Sequence, residues 1–336
     1  MDNKELKNFL AKLSKEFFLF APQKEGKKVK IKEAADLEAI DFSGEMPDNS
    51  WKEIFLPHRE RIFNIEKSRL SEIAGKFPPI ACVGMNVLDL KAFTLYEQVF
   101  SRDPFYQKRR RNILFVGYSG GLPADYKKFK VFSHNYEEDV LEHLVFDIFL
   151  IRTRSGRLKF YSGSVRGQSV LENSGVKNYE HIEFAGPIRE EGPDKKMLAL
   201  KEKVEKSFKH KIWDELDKIC LACGKCSIAC PTCFCYDIED KVDPANSSRE
   251  RKWGNCFYND FSRVAGGHLE LDTVRKKIHF WYEHKFVRIP REYSLPGCVS
   301  CGRCVKACPV GIDIFKNIEK INQETRYKKQ KNINDQ

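Results

Sequence analysis

Apolar residues near the N-terminus recur at helical spacing. Leu6, Phe9, Leu10, Leu13, Phe17 and Phe18 predict an amphipathic helix within residues 1–20. Beyond it the apolar stretches shorten to strand length at Ile80–Gly84, Ile113–Tyr118, Val145–Thr153 and Leu158–Tyr161. Helical periodicity returns at Leu88–Phe100 and Glu137–Leu144. This alternation predicts a mixed α/β domain over about residues 25–190. Gly186–Pro193 carries glycine, proline and charge, and reads as a linker. After it, Leu200, Val204, Phe208, Ile212, Leu216 and Ile219 mark one stripe, as expected of a long helix leading to Cys220. A basic helical pattern spans Leu271–Phe286, and Ile314, Phe315, Ile318 and Ile321 repeat the period later.

A chain of 336 residues exceeds what one hydrophobic core serves, so two domains are expected, 1–190 and 191–336. With 41% apolar and 32% charged residues, the chain belongs with globular rather than disordered proteins. No apolar run approaches the roughly 20 residues that span a bilayer. Leu144–Ile151 is the nearest candidate, and Asp147 interrupts it. Lys12, Lys15 and Glu16 break up Phe9–Phe20 and exclude a signal-peptide core there. A cytoplasmic protein is expected, with no membrane partner.

Net charge is +11, with basic runs at Lys108–Arg111, Lys195–Lys211 and Arg326–Lys331. Such runs suit nucleic acid, acidic redox partners or plain solvated helix faces. No helix-turn-helix, zinc-finger or RNA-binding signature accompanies them, so nucleic acid is not the expected partner.

The cysteines change the picture most. Cys220, Cys223, Cys226 and Cys230-Pro231 follow C-x2-C-x2-C-x3-C-P, and Cys298, Cys301, Cys304 and Cys308-Pro309 repeat it. This is the bacterial iron–sulfur spacing, in which the fourth cysteine serves the other cluster of a two-cluster ferredoxin. Two 4Fe-4S clusters are therefore expected. One takes Cys220, Cys223, Cys226 and Cys308; the other takes Cys298, Cys301, Cys304 and Cys230. Zinc usually wants two C-x2-C pairs or a Cys/His mixture, and disulfide frameworks belong to small secreted chains. Gly224, Ala229, Gly302 and Ala307 leave room for the backbone to approach cluster sulfurs. About seventy residues separate the two motifs. The expected fold class is α+β: a mixed α/β partner-docking domain, then an α-helical ferredoxin domain with a helical insertion and loop between its cysteine motifs.

Cys233, Cys235 and Cys256 remain. They are either buried packing thiols or ligands of a third metal site, with Cys82 or His268 completing four; the sequence leaves both open. Gly117-Tyr118-Ser119-Gly120-Gly121 fits the G-x-S-x-G elbow of a serine hydrolase, with His134, His143 or His181 as partners. Pro123 falls where the elbow's helix should run, which favours a simple strand-to-loop turn. No phosphate-binding P-loop or dinucleotide fingerprint is present. His279 and His284, five apart, do not share a helical face.

With these residues in view, the chain resembles the iron–sulfur beta subunits of cytoplasmic sulfhydrogenases (soluble nickel–iron hydrogenases). It is also similar to a related iron–sulfur component of anaerobic sulfite reductase. The likeness covers nearly the whole chain. It is strongest over Cys220–Cys235, where Pro231-Thr-Cys-Phe-Cys235 is more specific than cluster spacing alone. It continues through Arg249–Cys256, Ala265–His268, His284–Phe286 and Cys298–Cys304. Upstream it includes Trp51–His58, Asp89–Phe93 and Asp103–Tyr106. Many family members carry a cysteine where this chain has Leu88, and more in the loop matching Tyr118–Pro123. Those candidate ligands for an extra N-terminal metal site are absent here. Leu269-Glu-Leu271 also departs from the family's usual Asn-Phe-Arg, which alters the expected partner surface.

The resemblance implies a non-catalytic electron-transfer subunit. It would relay electrons between a flavin/NAD(P)-binding redox subunit and a catalytic hydrogenase or sulfite reductase subunit. It also implies a role for Cys233, Cys235 and Cys256. The alternatives are a subunit of another multisubunit redox complex, a self-contained redox enzyme, or an iron–sulfur protein that binds nucleic acid.

Overall fold

The computed structural model describes residues 4–66, 69–72, 77–119, 138–153, 155–186, 195–243 and 247–323. Helix α1 (Lys4–Glu16) leads into a hairpin, β1 (Phe18–Glu25) and β2 (Lys28–Glu33). The short α2 (Lys52–Phe55) and the polar strands β3 (Arg59–Glu66) and β4 (Arg69–Glu72) follow. Then come β5 (Ile80–Met85), α3 (Val87–Val99), α4 (Pro104–Arg110), β6 (Ile113–Ser119), β7 (Ile148–Arg152), β8 (Leu158–Ser162), α5 (Val165–Asn173) and β9 (Glu180–His181). The expected helix at Glu137–Leu144 is a 3-10 turn over Glu138–His143.

These strands form a seven-stranded mixed sheet in the order β2-β1-β5-β6-β7-β8-β9. Its centre, β1-β5-β6-β7, is parallel. Covered on both faces, its central strands read as continuous apolar runs. Ala81, Val83, Leu114, Val116, Ile148 and Leu150 meet α1 and α5 on one face. Cys82, Met85, Phe115 and Phe149 meet α3 and α2 on the other. Asp147 fixes the sheet from inside, accepting hydrogen bonds from the Phe115 amide (2.8 Å) and the Ser164 hydroxyl (2.7 Å).

The single long helix expected over 200–219 is two helices, α6 (Lys195–Glu205) and α7 (Ile212–Ile219). The break lies in local polar bonds. The Ser207 hydroxyl donates to Val204 O, its carbonyl accepts from Trp213 Nε1 at 2.6 Å, and His210 Nδ1 accepts the Ile212 amide. Such bonds compete with the helical ladder. The stripe reads as continuous because both helices face one core of Leu200, Val204, Ile212, Trp213, Trp281, Tyr282 and Ile318.

After α7 come α8 (Lys225–Ala229), β10 (Tyr236–Lys241), β11 (Ser247–Trp253), α9 (Val274–Glu283), a π-helical turn at His284–Arg288, α10 (Ile289–Tyr293) and α11 (Arg303–Ala307). A last helix, α12, covers 314–323. The interval between the cysteine motifs is thus not only helix and loop, since it contains the β10-β11 hairpin. β11 pairs with β3, giving a four-stranded antiparallel sheet, β10-β11-β3-β4, from distant parts of the chain. Ion pairs hold it: Arg59 to Glu239 and Glu250, Arg249 to Asp240, and Arg251 to both Glu60 and Asp103. With charge on both faces these strands carry no period-two apolar signal. Among the described residues no helix is long and apolar enough to cross a membrane.

Candidate iron–sulfur site

The two cysteine motifs repeat in backbone as well as in sequence. Ala222 and Ser300, each just before the second cysteine, both take left-handed φ of 47° and 59°. Gly224 and Gly302, each just after it, do the same at 71° and 74°. A five-residue helix then follows in each case, α8 or α11, and these two helices pack together. Left-handed residues cost about 1–2 kcal/mol each unless they are glycine, so Ala222 and Ser300 are held there by the loops around them. Gly224 is required for space too: a Cβ there would lie 2.1 Å from Asn255 Nδ2, which donates to the Gly224 carbonyl.

This geometry sorts the eight cysteines into two groups. Cys220, Cys223, Cys226 and Cys308 line one cavity, walled by Phe257, Ile278, Trp281 and Ile314. Backbone amides point at its sulfurs, Ala222 N–H to Cys220 Sγ (3.4 Å) and Ile312 N–H to Cys308 Sγ (3.2 Å). Cys223 is exposed, and Leu221 and Val310 at the rim are exposed as well. The second group is deeper, with Cys230 and Cys298 buried. Burial first, and the charge of Cys230 among the further causes, raise the thiols of Cys298, Cys301 and Cys304, with Cys298 pushed up to about 12. Burial and then neighbouring Cys220 push Cys226 up to about 12. Cys304 also lines the first cavity, so the two groups adjoin.

The donor set fits iron–sulfur clusters: four thiols per group, apolar walls, and amides aimed at sulfur. Among the described residues no three Cys, His, Asp or Glu side chains converge on one point as a single ion requires. A cubane is wider than one ion, and its ligands stand correspondingly further apart.

Two buried lysines meet the loop after the first motif. Lys285 Nζ donates to Cys230 Sγ (3.0 Å), Thr232 Oγ1 (3.0 Å) and Gly297 O (3.2 Å). Lys52 Nζ donates to the carbonyls of Ser227 (3.0 Å) and Cys233 (3.3 Å) and lies 4.4 Å above the Trp253 ring. Tyr96 also donates to Cys233 O at 3.2 Å. Cys230 is held well below the usual thiol range by a hydrogen bond from Cys233 and by the Lys285 ammonium, and Cys233 is raised in turn. Arg303, inside the second motif, forms a buried two-pronged pair with Asp89 (2.5 and 2.9 Å) and also donates to Pro47 O. The segments of resemblance Trp51–His58, Asp89–Phe93, His284–Phe286 and Cys298–Cys304 contain all four residues, but no spacing or motif gave any of them a role. The available signal was Lys285 itself, at i+4 from Trp281 and i+3 from Tyr282, where the period calls for an apolar residue.

Cys235 lines a neighbouring pocket with Cys233, Lys52 and Trp253, and Cys256 is buried near Cys226 and Cys235. Cys82 sits apart from them in the core of the seven-stranded sheet, and His268 is exposed on a turn, so neither joins these thiols. Ser119 ends β6, while Gly120, Gly121, Pro123 and His134 lie outside the described residues. His143 Nδ1 meets Gly186 O and His181 Nδ1 meets Ser162 Oγ. In the basic run at Lys108–Arg111, Arg109 is buried on Glu60 and Phe55 O, and Arg110 pairs with Glu97. Half of that run thus serves packing, while Lys108 and Arg111 are exposed. The run at Arg326–Lys331 lies outside the described residues.

Residues 219–312 match the 4Fe-4S dicluster domain family. The matched stretch holds all four cysteines of the first motif and all four of the second. The chain is also similar to sulfhydrogenase 2 subunit beta of Pyrococcus furiosus, at 29% identity over 298 residues covering 81% of this chain and 82% of that one. Together the two findings support the iron–sulfur beta-subunit family that the sequence resembles. No solved structure matches.

Proposed function

We propose that this dicluster protein is the electron-transfer subunit of a sulfhydrogenase-like complex, holding two 4Fe-4S clusters crosswise. Its partners in this reading are a flavin/NAD(P)-binding subunit and a catalytic subunit, in a cytoplasmic assembly. The hydrogenase type is favoured over the sulfite reductase type by the likeness to a sulfhydrogenase beta subunit. What supports the crossed reading is that Cys308 lines the cavity of Cys220, Cys223 and Cys226, while Cys230 lies close enough to Cys298, Cys301 and Cys304 for its charge to raise their thiols.

A bound cluster supplies one-electron storage at a potential the protein sets through charge, hydrogen bonds and exposure. The chain's own residues do the rest. The α8–α11 contact sets the two thiol groups side by side. Trp281, Ile278 and Phe257 keep water from the first group's inner wall. Exposed Cys223, with Leu221 and Val310 beside it, offers the short approach to a partner that electron transfer needs. As free thiols, Cys226 and Cys298 are protonated at neutral pH, so ligation releases protons.

The test is iron analysis and electron paramagnetic resonance of anaerobically purified protein. Eight irons per chain are expected, and Cys308→Ser should remove the same reduced signal as Cys220→Ser. Loss of the Cys298→Ser signal instead would refute crossed ligation, and zinc in place of iron would refute the reading altogether.

A further inference from the structure

The two thiol groups differ electrically. Among the described residues, the cavity of Cys220, Cys223, Cys226 and Cys308 is lined by cysteine, glycine, proline and apolar side chains, with no charged one. The donors that reach its sulfurs are neutral backbone amides. Three buried cations stand by the other group, and one of them, Lys52, bonds the carbonyls of Ser227 and Cys233 and no sulfur. Arg303 is compensated, because Asp89 binds it through both oxygens and each side chain is 1% exposed. Lys285 is different: it is 2% exposed, and its three acceptors are a sulfur, a hydroxyl and a carbonyl.

These acceptors also fix its protonation. The Thr232 hydroxyl gives its own proton to Gly297 O at 2.7 Å, so it can only accept from Lys285. A carbonyl can only accept. An ammonium has three donors and no acceptor, and all three find partners here. With Cys230 as a thiolate ligand, neutral lysine would turn its lone pair towards one of three groups that can only accept.

We infer that Lys285 sets a potential: its ammonium, bonded to Cys230 Sγ, makes the cluster on Cys230, Cys298, Cys301 and Cys304 the more easily reduced of the two. A fixed positive charge in a low-dielectric interior favours the state carrying one more electron. With both clusters bound, the step would be a single-electron transfer from the group held by Cys220, Cys223, Cys226 and Cys308, which would be oxidised, to the group held by Cys230, Cys298, Cys301 and Cys304, which would be reduced. No proton moves, because Lys285 is already fully bonded as the cation. At equilibrium the electron would then rest beside Lys285, and exposed Cys223 would mark the port. Lys285 is here a positioning and charge-setting residue that acts through Cys230. The inference rests on the ligand sets proposed above.

The test is a potentiometric titration of the full chain followed by electron paramagnetic resonance. In Lys285→Met, with eight irons retained, the cluster lost in Cys298→Ser should become harder to reduce. The oxidised-to-reduced ratio at fixed potential should change at least tenfold, about 59 mV for one electron. Lys285→Arg should stay near wild type, and the cluster lost in Cys220→Ser should not move. An unchanged titration, or a shift confined to the Cys220 cluster, overturns the inference. Should Lys285→Met fail to load iron, wild-type protein labelled with 15N only at lysine Nζ decides. Pulsed resonance should then find nitrogen coupling on the Cys298 cluster alone, and coupling on neither cluster or on the other one overturns it. Wild-type protein lacking eight irons would instead refute the ligand reading, a distinct result.

Discussion

Asp89 and Arg303 join α3 of the sheet domain to the second cysteine loop through a pair hidden from solvent at both ends. Removing one partner of such a pair leaves a charge buried without its counter-ion, which costs about 3–5 kcal/mol. Asp89→Asn should therefore lower the stability of the iron-loaded protein by about that much in denaturant titrations. Asp89→Leu with Arg303→Met should recover a good part of the loss, and a double change as damaging as the sum of the singles would sink this account. The chemistry of the eight cysteines was legible because thiolate spacing is itself the signal. The pair was not legible, because an aspartate and an arginine 214 positions apart carry no common pattern. Lys285 was visible as a lysine out of phase, but only its three acceptors give it a meaning.

Around α9 the chain departs from regular helix at His284–Arg288, where the ladder widens to π spacing and the Ile289 amide reaches back to His284 O. Pro290 explains the position: lacking an N–H, it cannot serve the carbonyl four residues back. The widened turn brings Lys285 backbone against Gly297, where a Cβ would lie 2.3 Å from Lys285 O. It also buries His284 near Lys285 and Arg288. Burial first and these cations second lower its pKa to about 4, from an ordinary 6.5. Below pH 6.5 the unfolded chain takes a proton that the folded chain refuses. Stability should fall as pH drops from about 6.5 towards 4, by up to about 3 kcal/mol. Denaturant titrations at pH 7.5 and 5 should show about 2 kcal/mol of that loss in wild type and a smaller one in His284→Gln; equal losses would exclude His284 as the cause. Apolar periodicity disclosed β5, β6, β7, β8 and α3, whose sides are buried by neighbours. It could not disclose β3, β10 and β11, which are built on cross-strand charge.

At the scale of the molecule, the sheet β10-β11-β3-β4 and the Glu60–Arg109–Arg251–Asp103 cluster tie the cysteine-bearing half to the α/β half. Residues 1–190 and 191–336 produced separately should each lose part of this sheet. We expect neither to unfold cooperatively like the full chain, and calorimetry of the two pieces would check it; two sharp transitions matching the whole would contradict the expectation. Sequence pattern gave no hint of this sharing, since pairing between distant polar strands leaves no local trace. The sharing also bears on how the protein is made. Arg59 and its partner Glu250 are 191 residues apart. At roughly 5–20 residues per second, a ribosome needs about 10–40 s to deliver the second after the first. Throughout that interval one edge of β3 is unpaired, and the Arg59, Glu60 and Arg61 charges that later tie it to β11 guard it against other chains.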